Sequence, residues 1–160
     1  MSGNVESLRE RIESFLYYEA RLIDDHEYEK WFSLWTEDAL YWIPCNSDDA
    51  DPTRQAMIVY DNRDRLQERV LRLTSTSAWA QQPRSRTRRL LSNVEFRPIE
   101  GGYAVESNFI LAELRRSKQD IFAGRVLHTL RTRGDSFNIA LKKVLLLNND
   151  DPIDNLTFIV

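Results

Sequence analysis

Residues 84–97 read RSRTRRLLSNVEFR, and the first six positions hold four arginines, Arg84, Arg86, Arg88 and Arg89. Successive side chains of an extended segment point to opposite faces, so as a strand this stretch places Arg84, Arg86 and Arg88 on one side. Leu90, Val94 and Phe96 then alternate with Arg89, Glu95 and Arg97, apart from a polar Ser92 inside the pattern. The stretch predicts a strand, and it opens a run of them. Glu100-Gly101-Gly102 is a turn signal, after which Tyr103, Val105, Phe109 and Leu111 mark a long strand closing near Arg115-Arg116-Ser117-Lys118. Phe122, Val126 and Leu130 continue on another, up to Arg133-Gly134-Asp135, and Phe137, Ile139, Leu141, Leu145 and Leu147 form a fourth. Long strands joined by short turns predict an antiparallel meander.

The segment before this run is helical. Val5, Leu8, Ile12, Phe15, Leu16 and Ile23 recur at three- and four-residue steps while charges occupy the other faces, and no glycine or proline interrupts residues 4–43. Asp24 and Asp25 precede a second periodic set, Tyr28, Trp31, Phe32 and Trp35, and read as the N-cap of a second helix. Residues 39–44, ALYWIP, form a short strand, and the polar 46–54 a surface loop. Ile58-Val59-Tyr60 is a brief strand, and Asp61 caps a third helix whose apolar face is Leu66, Val70 and Leu73. Helices first and a long sheet afterwards predict an α+β fold, with N-terminal helices packed in the concave face of a curved, mainly antiparallel sheet. The 160 residues fit one domain spanning 1–160.

Composition narrows the function. A net charge of −3 argues against a dedicated nucleic-acid binder, which carries a basic domain. The lone cysteine, Cys45, makes no internal disulfide and fits a reducing compartment. The N-terminus lacks the basic and apolar regions of a secretory signal, and no apolar run approaches the ~18 residues that suggest a membrane span, so a cytoplasmic protein is expected.

Little of the chain's chemistry points to catalysis. A Rieske cluster needs two cysteines and two histidines, and the chain has one cysteine. His26 and His128 with a carboxylate would just supply a facial triad, but they lie far apart in sequence, at a helix junction and in mid-strand. Asp24, Asp25, His26 and Tyr41 are the candidates for acid–base work in a cone-shaped interior; the competing reading makes the aspartates caps, His26 surface and Tyr41 core. Trp31, Trp35, Trp42 and Trp79 line either a ligand pocket or the core. The exposed arginines must meet solvent, acidic side chains or a partner, because buried strand faces do not tolerate unpaired charge. A protein interface and a solvated or internally paired strand both remain as readings.

The segment FLYYEARLIDDHEYEKWFSLWTEDALYWIP (15–44) resembles the opening of the small, or beta, subunits of bacterial aromatic-ring-hydroxylating dioxygenases, the Rieske non-haem iron oxygenases. The matching residues are Tyr18, Glu19, Ala20, Arg21, Leu22, Asp24 and Asp25, then Trp31, then Asp38, Tyr41, Trp42 and Pro44. YDNRDRLQERVLRL (60–73) resembles that family's third helix, and AWAQQPRSRTRRLLSNVEF (78–96) its A-W-x-x-x-P-x-S-R-T-R-x-x-x-S-N-V signature, through Ala78, Trp79, Pro83, Ser85, Arg86, Thr87, Arg88, Ser92, Asn93 and Val94. A terminal Asp154-Asn155-Leu156-Thr157-Phe158 segment is similar to the family's ending. The chain departs at Arg89, where many relatives have His or Tyr.

The resemblance implies an NTF2-like, cystatin-related cone and a non-catalytic role with no cofactor in this chain. It implies a large (alpha) subunit holding a Rieske [2Fe-2S] cluster and a mononuclear Fe(II), an α3β3 hexamer with the small subunits associating as a trimer, and electrons from NADH through a reductase or ferredoxin. Trp79, Arg84, Arg86, Arg88 and Asn93 are the expected subunit-interface residues; no nucleic-acid or membrane partner is expected. The alternative is a stand-alone, cofactor-free isomerase or dehydratase of the same fold, since fold does not dictate function.

Overall fold

The protein is described from a computed structural model, covering residues 7–45, 48–49, 51–54, 57–75, 84–148 and 158–160. Helix α1, Leu8–Asp24, starts on a reciprocal cap: the Ser7 hydroxyl accepts the Glu10 amide at 3.2 Å and the Glu10 carboxylate accepts the Ser7 amide at 2.7 Å. Its buried stripe is Ile12, Phe15, Leu16, Leu22 and Ile23, with one charged member, Glu19. The expected member Val5 lies outside the described residues.

Helix α2 is a single turn, Tyr28–Phe32, and its N-cap Glu27 makes no side-chain cap bond. Neither aspartate caps it: Asp25 is exposed and Asp24 bonds to a distant strand. Trp35, expected on this helix, instead begins strand β1, Trp35–Pro44. The reason is tertiary: the Leu34 carbonyl accepts the Ile139 amide at 2.8 Å and Trp35 pairs with Ile139 of the last strand, so a sheet partner outweighs continuation of the helix.

Strand β2, Met57–Asn62, runs into helix α3, Arg63–Thr74. The cap of α3 is Asn62, whose side chain accepts the Arg65 amide at 3.0 Å, and not Asp61; Asp61 is buried in β2 and bonded at 2.6 Å to Arg69. The meander follows as β3, Arg86–Ile99; β4, Gly102–Arg115; β5, Lys118–Arg133; and β6, Ser136–Leu146. The hairpins turn where the sequence signalled, at Gly101 (φ 78°) and Gly134 (φ 57°); the β4–β5 turn puts Arg116 and Ser117 both at positive φ, the geometry of a two-residue hairpin loop.

The six strands form one sheet in the order β2-β1-β6-β5-β4-β3, antiparallel except for the parallel β1/β6 pairing. Its inner face packs on the helices around Ile12, Leu16, Trp31, Tyr41, Leu111 and Leu130, all buried. Two bulges rewrite the alternation read from sequence. In β3 the register shifts between Ser92 and Glu95, with Asn93 at φ 55°. An inserted residue reverses which side chains face inward, so Val94 and Phe96 lean to the core while Leu90 is 71% exposed. In β6, Thr129 pairs with Leu141 but Leu130 with Ile139, leaving Ala140 as the extra residue. Beyond it the inward set is Lys142, Val144 and Leu146, and Leu147 is 80% exposed, contrary to the expected Leu141-Leu145-Leu147 series.

Candidate functional site

The arginine strand divides by face. Arg84, Arg86 and Arg88 are exposed, and the intervening Ser85 and Thr87 are buried, as strand alternation requires. On the inner side the Ser85 hydroxyl donates to Glu113 Oε1 at 2.8 Å and the Thr87 hydroxyl to Asp24 Oδ1 at 2.8 Å. Arg89 follows them inward. Its Nε donates to Asp24 Oδ1 at 2.9 Å, its amide to Asp24 Oδ2 at 3.1 Å and its Nη2 to the Ile159 carbonyl at 3.0 Å. The ion pair is desolvated, with side chains 5% (Arg89) and 10% (Asp24) exposed. The fourth arginine thus ties the end of α1 and residues 158–160 to the sheet.

β3 is also an edge strand, and side chains close its free edge. The His26 ring, in a turn at φ 59°, donates through Nε2 to the Ser85 carbonyl at 2.8 Å. Arg88 Nη1 donates to the Thr87 carbonyl at 2.8 Å, Asp24 takes the Arg89 amide, and Arg9 Nη1 reaches the Val94 carbonyl at 2.9 Å. The switch from odd to even positions along this row reflects the Asn93 bulge.

A second polar cluster lies inside the cone. Glu19 Oε1 accepts from His128 Nε2 at 2.9 Å, and Oε2 accepts from Lys142 Nζ at 3.0 Å and Trp31 Nε1 at 2.9 Å. The ionisable side chains are 4–5% exposed. Burial alone would raise the Glu19 carboxyl, but the Lys142 ammonium and His128 beside it outweigh burial and hold it well below the ordinary carboxylate range. Sequence reading did not single out this cluster. A signal existed: Glu19 interrupts the apolar stripe of α1, and a charge in that position requires an internal partner.

The acid–base candidates do not converge on one site. Asp24 spends both oxygens on Thr87 and Arg89, and with exposed Asp25 it borders an open groove of about 550 Å³ between α1 and β3. His26 is half-buried rather than a surface residue, and is bonded to backbone. Tyr41 is core: its hydroxyl donates to the Val160 carbonyl at 3.2 Å and accepts the Val160 amide at 3.1 Å, and burial pushes the phenol up to about 12. Trp31 and Trp35 are buried and Trp42 half-buried, whereas Trp79 lies outside the described residues. Asn93 serves the bulge through its backbone, since asparagine tolerates the left-handed region better than most residues.

Among the described residues no group of three or more His, Cys, Asp or Glu side chains is placed to hold a metal ion. The residues present do not fit a Rieske cluster either: Cys45 is the sole thiol, and His26 and His128 are bonded to Ser85 and Glu19 respectively. No helix among the described residues is long and apolar enough to cross a membrane.

A six-stranded sheet wrapped on N-terminal helices, with its interior filled by tryptophans and a buried ion cluster, is an NTF2-like, cystatin-related cone. An NTF2-like protein with a cystatin-like fold from Novosphingobium aromaticivorans shares it, at a TM-score of 0.58 and 14% identity over 89% of this chain and 84% of that one. Residues 18–150 match the family described as "Ring hydroxylating beta subunit", and the chain belongs to that family. It is 34% identical to the chlorobenzene dioxygenase subunit beta of Cupriavidus sp. (strain PS12), covering 94% of this chain and 88% of that relative. It is also 34% identical to the biphenyl 2,3-dioxygenase subunit beta of Rhodococcus jostii (strain RHA1), over 95% and 88%. Among solved structures, the beta subunit of the benzoate 1,2-dioxygenase from Burkholderia mallei superposes with a TM-score of 0.77 at 28% identity, covering 98% of this chain and all of that one.

Proposed function

We propose that this chain is the non-catalytic structural subunit of an aromatic-ring-hydroxylating dioxygenase and that it assembles in the cytoplasm with a large subunit. The observation that carries this reading is membership of the ring-hydroxylating beta-subunit family across residues 18–150. In it the large subunit holds the Rieske [2Fe-2S] cluster and the mononuclear iron, and oxidises an aromatic compound with O2 and NADH-derived electrons delivered by a reductase or ferredoxin. The assembly is an α3β3 hexamer in aromatic catabolism, and Trp79, Arg84, Arg86, Arg88 and Asn93 belong to its subunit interfaces. The internal bonding of Asp24 and Tyr41 favours this reading over a cofactor-free isomerase or dehydratase, which needs a carboxylate, histidine or phenol facing substrate.

Co-expression with the candidate large subunit, followed by mass measurement and an iron assay of each chain, tests the proposal. The expected result is a complex of both chains with all iron in the larger one. A chain that never co-purifies with the large subunit, or that turns over a substrate alone, would overturn it.

A further inference from the structure

The sheet is apolar on both faces, and only the inner one is covered by helices. On the outer face Leu90, Ile110 and Ala123 stand opposite one another across β3, β4 and β5, and the Leu147 amide bonds to the Ala123 carbonyl at 3.0 Å, extending the row past the end of β6. In the next row Arg88 stands beside Ala112 and Ile121. Leu90, Ile110, Ile121 and Leu147 are 71%, 49%, 60% and 80% exposed. A contiguous exposed patch of large aliphatic side chains marks an interaction surface.

The charges around this row are separated by sign. Arg86 and Arg88 flank one side and have no ion-pair partner among the described residues. On the other side Glu95 stands directly opposite Glu106, a like-charge pair that destabilises a sheet unless a cation meets it, and the described residues pair neither with a cation. About 20–30 Å of strand separates the two ends at ~3.3 Å per residue. Strand addition at the neighbouring edge is blocked along the arginine half of β3, because His26, Arg88 and Asp24 already occupy the Ser85, Thr87 and Arg89 backbone groups. Contact there goes through the face.

We propose that this outer face binds a second copy of this chain, with Arg86 and Arg88 of one copy meeting Glu95 and Glu106 of the other around the Leu90–Ile110–Leu147 row. A partner for this face must carry an apolar centre, an acidic end and a basic end in matching order, and a second copy supplies all three from its own sequence. The inference rests on the subunit reading and deepens it by assigning the arginines to a contact between small subunits rather than to the large one.

The test is the mass of the full chain purified alone, by sedimentation velocity and native mass spectrometry at tens of micromolar. The wild-type chain is expected to self-associate. Arg86→Glu/Arg88→Glu and Glu95→Arg/Glu106→Arg are each expected to weaken association at least ~10-fold, and an equimolar mixture of the two to restore it, because the reversed charges are complementary. If either charge variant fails to fold by circular dichroism, Leu90→Ser/Leu147→Ser carries the same expectation. A monomeric wild-type chain, or variants that keep the wild-type mass, would overturn the proposal. So would a wild-type chain that is monomeric alone and loses binding to the large subunit on Arg86→Glu/Arg88→Glu, which gives the face to that subunit. Self-association that persists where no iron-bearing chain co-purifies supports the proposal and sinks the dioxygenase-subunit reading instead.

Discussion

Glu19→Gln is the sharpest probe of what holds the cone together. The substitution keeps size and hydrogen-bonding atoms but removes the only carboxylate bonded to Lys142, whose ammonium is 5% exposed. Removing one partner of a buried ion pair leaves the other charge uncompensated and costs about 3–5 kcal/mol, a large share of the ~5–15 kcal/mol of a typical domain. With an unfolding entropy of roughly 2.1 cal/mol/K per residue, a chain of 160 residues has about 0.34 kcal/mol/K, so the melting temperature should fall by about 9–15 °C. Removing the stranded charge as well should recover much of the loss, because the amide oxygen introduced at position 19 still accepts from Trp31 and His128. Glu19→Gln/Lys142→Met is therefore expected to be about 2 kcal/mol more stable than Glu19→Gln, a non-additive pair. The assay is urea and thermal unfolding by circular dichroism at fixed chain concentration, since association shifts apparent stability. The acid limb supplies an independent check. The folded Glu19 carboxyl lies below its ordinary value of 4.5, so its contribution is complete above that pH and is lost as pH falls towards the folded value. The wild-type chain should lose that stability in acid, and Glu19→Gln should lack that component. A Glu19→Gln cost under ~1 kcal/mol, or a double variant as unstable as the sum of its parts, would refute the ion cluster as a structural core.

Four further outcomes are expected. Asp24→Asn strands the inward Arg89 and should cost about 2–4 kcal/mol in urea unfolding. Arg86→Ala removes an exposed side chain, so the melting point of the isolated chain should change little (about 0.5 kcal/mol or less) while assembly, read by native mass, weakens. Asn93→Val forces a β-branched residue to φ 55° and should cost roughly 1–2 kcal/mol, whereas Asn93→Gly should be nearly neutral, both measured by chemical denaturation. Gly124→Ala places a Cβ onto the Leu145 carbonyl oxygen of the paired strand; a loss of about 1–3 kcal/mol and faster amide exchange across β5 and β6 should follow.

The legible parts of this fold were those governed by local chemistry. Periodicity placed α1 and α3, and turn residues placed the hairpins at Gly101, Arg116-Ser117 and Gly134. Alternation put Arg84, Arg86 and Arg88 on one exposed face, and the motif around Tyr18–Pro44 and Ala78–Val94 carried the family. The errors arose where a partner distant in sequence made the decision. Trp35 left the helix because Ile139 offered it a sheet, and Asp24 left its expected cap for Thr87 and Arg89, which lie more than sixty residues away. Departure from the family pattern at Arg89 becomes intelligible only in this pairing.

Face assignment was the other tertiary decision. A period of two cannot reveal an inserted residue, and the bulges at Asn93 and Ala140 each reversed the reading of everything beyond them on the same strand. Ser92-Asn93 announced the first as a polar interruption; Ala140 announced nothing. Those two reversals bring Lys142 into the cone to meet Glu19 and turn Leu90 and Leu147 out to solvent. By itself the sequence determined which segments are helix and strand, which family the motifs resemble and that one face of the arginine strand is charged. Only the tertiary structure decided where Arg89 and Lys142 find their counterions and which apolar residues are left for another chain, because those outcomes depend on register across strands.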